Sequence, residues 1–74
     1  MVEKLIETIA RALRVPPSTL TPETGPGDLQ VWDSLAQINV VSEIEAEFGV
    51  SIPFEQVAEI QHVRDFLPYL GKTS

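Results

Sequence analysis

A stretch rich in proline and glycine separates two helical halves of the chain and limits what the chain can fold into. Between Val15 and Trp32 lie four prolines and two glycines, including Pro16-Pro17 and Gly25-Pro26-Gly27. Proline removes a backbone donor and fixes φ, and Gly-Pro pairs favour turns, so no continuous helix or central strand can cross this stretch. The sequence therefore predicts a long loop, which we expect three apolar residues to attach to a core: Leu20, Leu29 and Val31.

The residues before this loop have the periodicity of an amphipathic helix. Apolar side chains recur every three or four positions, and charged residues occupy the opposite side. Pro16 ends the helix because it disfavours the helical conformation in the residue before it. The predicted buried stripe of helix one consists of Val2, Leu5, Ile6, Ile9 and Leu13.

A second helix follows the loop. Asp33 and Ser34 are both favoured N-cap residues, Ser34-Leu35-Ala36-Gln37 has the form of a capping box, and Gly49 favours a C-terminus. The face predicted to meet helix one consists of Val40, Val41, Ile44 and Phe48.

Two large apolar residues of helix two, Leu35 and Ile38, fall outside that buried face. They share the outer side with Ser42, Glu45 and Ala46. An apolar pair surrounded by acids at a helix start suggests a surface that docks a partner.

The remaining residues predict two shorter helices. One starts at Ser51-Ile52-Pro53, with Phe54, Val57 and Ala58 on a common face. In the other, we expect Pro68 to kink or end the last turn. The buried stripe of this last helix is predicted to be Val63, Phe66, Leu67 and Leu70.

No alternating apolar and polar run is long enough for a strand. The predicted fold class is therefore all-α: a small four-helix bundle of three main helices and a short third helix, with a long loop between helices one and two. The 74 residues, 43% of them hydrophobic, predict one domain over residues 1-74. Without cysteine, its stability must come from apolar packing.

The charge distribution excludes some partners and favours others. Eleven acids oppose five cations, for a net charge of −6, and the chain from Val15 to Val63 contains eight acids and no Lys or Arg. Such a surface repels nucleic acids and attracts basic protein surfaces. With no membrane-length apolar run and no signal-peptide pattern at the N-terminus, we expect a monomeric, cytoplasmic protein that binds no membrane.

The residues that catalysis requires are scarce. His62 is the single histidine and Tyr69 the single tyrosine, and no Cys/His cluster is present to bind a metal. Ser34 lies in Trp32-Asp33-Ser34-Leu35-Ala36, which lacks the glycines of a nucleophile elbow. The sequence predicts neither an enzyme nor a metal site.

One combination of motifs resembles a known family. Asp33-Ser34-Leu35 opens an acidic helix after an amphipathic helix and a Pro/Gly-containing loop, as in the acyl carrier proteins and their phosphopantetheine-binding relatives. The resemblance extends through Glu45-Ala46-Glu47-Phe48-Gly49-Val50, similar to the family's acidic end of helix two, to Ile52-Pro53, and covers nearly the whole chain.

The resemblance implies a carrier function. In that family a separate magnesium-dependent transferase esterifies a serine hydroxyl with 4′-phosphopantetheine from coenzyme A, and here that serine would be Ser34, preceded by Asp33. The thiol of this arm carries acyl or related cargo as a thioester, while partner enzymes of fatty-acid, polyketide or related biosynthesis perform the chemistry. A helix N-terminus also suits a phosphate.

The resemblance also implies a partner surface on helix two. Leu35 and Ile38 match its apolar positions, and Asp33 and Glu45 match its acidic ones. Asn39 stands where many relatives have an acid, and Ser42 where many have a large apolar residue. The implied partners are the phosphopantetheinyl transferase and acyl-loading, synthase or transferase enzymes with basic docking surfaces.

Val31-Trp32 replaces a pair that often contains glycine in relatives. A tryptophan before Asp-Ser-Leu resembles the pattern in a branch of discrete carriers. It is equally well explained as a local packing residue. Two other functions also stay open: a peptidyl or aminoacyl carrier, and an acidic helical interaction module without a prosthetic group. A small enzyme or metal sensor is disfavoured by the residue inventory.

Overall fold

The computed structural model describes residues 2–70, and these form helices joined by loops. An isolated bridge pairs Pro26 with Leu29, and no strand forms within residues 2–70. The all-α prediction, including the long loop and the short third helix, is confirmed. The helices are α1 (Val2–Leu13), α2 (Ser34–Phe48), α3 (Phe54–Val57) and α4 (Leu67–Leu70), with 3₁₀ turns at Pro17–Thr19 and Val63–Phe66.

The core lies where α1, α2 and the C-terminal segment meet. Leu5 and Ile9 of α1 and Val40 and Ile44 of α2 are fully buried, as their spacing predicted. Phe48 and Ile6 pack against this core while half-buried. The C-terminal segment adds the three residues Val63, Phe66 and Leu70 to the core.

The loop before α2 is attached to the core by Leu20 and Trp32. Both are buried, and Leu29 packs against the core while half-buried. The expectation for Val31 was wrong, because its side chain is 48% exposed while that of its neighbour Trp32 is fully buried. A large indole removes more apolar surface from water than valine does, so Trp32 occupies the inward position.

Backbone hydrogen bonds join the same loop to the start of the C-terminal segment. The amide of Val63 donates to the carbonyl of Thr24 at 2.7 Å, and that of Arg64 donates to Pro22 at 3.0 Å. Gly25 is required here, because a Cβ at this position would overlap the carbonyl oxygen of Gln61. The loop is therefore held in place by distant residues.

Asp65 stabilises the turn at Gln61 and His62, next to the residues that bind the loop before α2. Its Oδ2 accepts hydrogen bonds from the amides of Gln61 and His62 at 2.9 and 3.0 Å. Donation from the Gln61 amide, followed by the contribution of His62, lowers the pKa of Asp65 from its ordinary value. The carboxylate therefore stays ionised where it caps this turn.

Two details of the C-terminal half differ from expectation. Phe54, Val57 and Ala58 were expected on a common face over about two turns, but α3 is a single turn that ends at Val57. None of the three is fully buried, since Phe54 is 78% exposed, Ala58 is exposed and Val57 is half-buried. Pro68 does not end its helix: it lies in the first turn of α4, where its missing amide is tolerated. The helix changes from 3₁₀ to α at Leu67, one residue before Pro68.

The described helices also bear on membrane insertion. Within residues 2–70, none is both long and apolar enough to cross a bilayer.

Candidate functional site

The start of α2 presents an exposed serine. Asp33 is the N-cap, with its Oδ1 accepting from the Ala36 amide at 2.8 Å and its carbonyl accepting from the Gln37 amide at 2.9 Å. Ser34 is therefore the first helical residue, so that of the two predicted N-cap candidates Asp33 is the one used, and Ser34 is exposed. Its role as an attachment residue stays a prediction.

The expected capping box is wrong. Because Asp33 is the cap, the third helical position is Ala36, which has no side-chain acceptor to complete the box. Gln37 is buried instead, and its Oε1 accepts a hydrogen bond from Trp32 Nε1 at 2.6 Å. The glutamine thus connects the loop to α2 rather than capping the helix.

The pair formed by Trp32 and Gln37 positions Ser34. Trp32 is fully buried one residue before the Asp33 cap, and its partner Gln37 lies one turn into the helix. This contact favours the local packing interpretation of Trp32. Sequence reasoning missed the pair, although a tryptophan preceding a helix start by two residues already indicated a large anchoring side chain.

The first turn of α2 is chemically suited to an attached phosphate. Amides at the start of a helix have no carbonyl partner one turn earlier and carry partial positive charge. Asp33 satisfies the amide of Ala36, leaving those of Ser34 and Leu35 as the helix-start donors beside the exposed hydroxyl. A phosphodiester on Ser34 therefore fits this position.

An open groove of about 580 Å³ adjoins the serine. It runs between the start of α2 and the segment containing α3, and its walls are mostly apolar. Its polar lining residues are Asp33, Ser34 and Gln37, and the last of these has an amide side chain. The apolar residues that form most of the wall include Trp32, Ile38, Phe54, Val57 and Ile60.

The residues assigned to the partner surface are mostly solvent-accessible. Leu35 is 73% exposed and Ile38 is 52% exposed, and Asn39 and Ser42 are also exposed on α2. Glu45 differs, because it is half-buried and its Oε2 accepts from the Ile52 amide at 2.8 Å. One acid of this surface therefore also holds the segment that follows α2.

Exposed large apolar side chains concentrate around the serine. In the described part of the chain they are Val31, Leu35, Ile38 and Phe54, and the last two line the groove. Phe54 was missed as a surface residue, because its spacing from Val57 indicated a common helix face and not whether that face meets solvent. Such an apolar cluster is typical of an interaction surface.

Most of the basic side chains form ion pairs with acids that do not line the groove. Arg11 pairs with Glu47 at 3.0 Å and Glu43 at 3.8 Å, joining α1 to α2. Arg64 pairs with Glu23 on the loop. These exposed pairs add little stability, but they neutralise much of the positive charge of the described residues.

Comparison with known proteins identifies relatives of this chain. Residues 3–70 match the family model described as "Phosphopantetheine attachment site". The chain is 36% identical over 72 residues to the acyl carrier protein of Syntrophobacter fumaroxidans, covering 97% of this chain and 89% of that one. It is 32% identical to a meromycolate extension acyl carrier protein of Mycolicibacterium aurum, covering 97% and 74%.

The fold has a close structural counterpart. The solution NMR structure of a holo acyl carrier protein from Geobacter metallireducens superposes with a TM-score of 0.82 at 21% identity, covering 96% of this chain and 82% of that one. At that identity the likeness concerns the fold. It confirms the small helical bundle.

The chain belongs to the acyl carrier protein family, whose members carry a phosphopantetheine group. It is a non-catalytic carrier in fatty-acid or related biosynthesis, with a phosphopantetheine prosthetic group. As a family, these carriers interact with synthase and transferase enzymes. The alternative of an interaction module without a prosthetic group is not supported.

Proposed function

We propose that Ser34 is the residue that bears the 4′-phosphopantetheine and that Asp33 positions it. The observation that supports this assignment is the exposed Ser34 hydroxyl at the first position of α2. The Asp33 cap and the buried Trp32–Gln37 hydrogen bond hold that position. The donors of the first turn are available to a phosphate there.

The attachment proceeds at the Ser34 hydroxyl within a complex with the transferase. Ser34 Oγ forms a bond to the phosphorus that carries the pantetheine in coenzyme A and transfers its proton to the transferase. The bond from that phosphorus to the departing adenosine 3′,5′-diphosphate breaks. When bound, the prosthetic group supplies a thiol that holds acyl cargo as a thioester.

The outer face of α2 is the proposed docking surface for the transferase and for acyl-loading and synthase enzymes. Leu35 and Ile38 supply exposed apolar contacts, and the side chains of Asn39 and Ser42 are also exposed on α2. The acid Glu45 contributes charge toward partners with basic surfaces. Phe54 extends the apolar surface across the groove.

Intact mass spectrometry tests the attachment residue. Incubation with coenzyme A, Mg²⁺ and a broad-specificity phosphopantetheinyl transferase is expected to add one phosphopantetheine to the protein. Ser34→Ala should abolish the gain. Ser18→Ala is the matched control, because Ser18 is also an exposed serine and lies outside the proposed docking surface, and it should be modified fully.

Peptide mapping identifies the modified residue directly. The added mass is expected on the peptide that contains Ser34. Modification at Ser18, Ser42 or Ser51 would contradict the assignment.

A further inference from the structure

The groove beside Ser34 contains a buried amide whose orientation is fixed. Gln37 lines the groove and is 7% exposed, and its Oε1 accepts from Trp32 Nε1 at 2.6 Å. An indole N–H can only donate, so the amide oxygen must face it. The opposite orientation would place two donors against each other.

This orientation leaves the amide nitrogen without a partner. Gln37 Nε2 is buried and forms no hydrogen bond with any group in residues 2–70. A buried donor that loses water without gaining an acceptor is unfavourable. The mostly apolar groove is therefore lined by one residue, Gln37, whose buried amide nitrogen has no acceptor.

We propose that Gln37 Nε2 donates a hydrogen bond to a carbonyl oxygen of acyl cargo that enters this groove, so that the carrier prefers an oxo-substituted chain to a saturated one. This inference rests on the proposed function, since the cargo is tethered through Ser34. Gln37 lies three residues after Ser34, about one helical turn away. Because the nitrogen is buried, the chain must displace groove residues to reach it.

The donor-only character of the amide nitrogen favours a carbonyl over other polar groups. A carbonyl accepts and brings no donor of its own, whereas a hydroxyl also introduces an O–H that needs an acceptor. The pantetheine arm contains secondary amides, whose N–H groups would likewise need acceptors along an apolar wall. Every thioester brings one carbonyl at the end of the arm, and a 3-oxo chain adds a second acceptor further along the hydrocarbon, so the oxo chain matches this groove best.

NMR on the loaded protein tests the hydrogen bond itself. Uniformly ¹⁵N-labelled protein is loaded from octanoyl-coenzyme A or 3-oxooctanoyl-coenzyme A, and the side-chain amide protons of Gln37 are followed. With the 3-oxooctanoyl chain, one of these protons should shift downfield and exchange with water at least about tenfold more slowly than with octanoyl. Equal shifts and exchange rates in the two loaded forms would overturn the proposal.

A double variant provides an independent test. Trp32→Phe with Gln37→Met removes the amide and the indole N–H together, so that no buried donor is left unpaired. The difference in melting temperature between the two loaded forms should disappear in this variant and persist in Trp32→Phe alone. Persistence of the difference in the double variant would contradict the role of Gln37. If the double variant does not fold, the NMR comparison on the unaltered protein decides.

The outcomes distinguish this inference from the proposed function. Loading on a residue other than Ser34 rejects both. Loading on Ser34 with unchanged Gln37 resonances rejects the cargo contact alone. If the protein bearing the unloaded arm already shows the full Gln37 shift, the arm is the acceptor and the assignment to cargo is wrong.

Discussion

At the scale of single residues, the carboxylate of Glu45 has one observed contact and one proposed docking role. Its place on the outer side of α2 predicted a contact for basic partners. Its Oε2 also accepts from the Ile52 amide at 2.8 Å and so joins the end of α2 to the segment before α3. We therefore expect changes at Glu45 to alter stability as well as docking.

Substitution of Glu45 tests this structural role. Glu45→Ala leaves the Ile52 amide without its acceptor and should lower the free energy of unfolding by about 1–2 kcal/mol in a urea titration. Glu43→Ala is the control, because Glu43 is exposed and its ion pair with Arg11 is long, at 3.8 Å. It should change stability by less than about 0.5 kcal/mol. Equal losses in the two variants would show that the Ile52 contact is not stabilising.

At the scale of the elements, α2 presents different residue types to the core and to solvent. Ile44 is fully buried against α1, whereas Ile38 is 52% exposed at the groove. The two residues are chemically identical and belong to the same helix. Their comparison therefore isolates burial from helix propensity.

Truncation of the two isoleucines measures this difference. Ile44→Ala should lower the free energy of unfolding by about 2–5 kcal/mol, because it removes buried methyl groups and leaves a cavity. Ile38→Ala should lower it by less than about 1 kcal/mol, as expected for a partly exposed side chain. Similar urea midpoints for the two variants would contradict the orientation of α2 that buries Ile44 and exposes Ile38.

The short α3 shows where periodicity fails at this scale. Phe54 and Val57 have helical spacing, but the element is one turn long and Phe54 is 78% exposed. A four-residue helix is too short for its pattern to define a buried face, and packing of the flanking segments orients it. Ile52 and Ile60, on either side of α3, are the buried residues.

At the scale of the whole molecule, we expect net charge and exposed apolar residues to act at different stages of binding. The net charge of −6 should accelerate encounter with partners whose surfaces are basic, and the apolar residues near Ser34 should prolong the complex once formed. Leu35 is 73% exposed and is not among the core residues. It is thus suited to a test that leaves the fold intact.

Binding kinetics with the transferase test this division. Leu35→Ala should raise the dissociation rate about tenfold, equivalent to ~1.4 kcal/mol, with little effect on association. Leu35→Met retains the apolar surface and should restore the lifetime of the complex. Association of all three proteins should slow as salt increases. A dissociation rate that ignores Leu35, or an association rate that ignores salt, would mean that docking occurs elsewhere.

The sequence alone determined the features that depend on neighbouring residues. Capping residues set where α2 begins and ends, Pro16 limits how far α1 can extend beyond Leu13, and apolar periodicity identified Ile9, Val40 and Ile44 as core. The motif around Ser34, together with the helix pattern on either side of it, indicated the carrier family. The helix limits and the core positions follow from local backbone chemistry and from side-chain spacing along one helix.

Only the tertiary structure decided the contacts between groups whose pairing the sequence does not specify. The Thr24 carbonyl meets the Val63 amide, and Glu45 turns back to Ile52, because packing brings these segments together. The same packing buries Trp32 and selects Gln37 as its acceptor, where local rules predicted a capping box. A buried polar group must find a partner wherever the fold supplies one, and sequence spacing does not identify that partner.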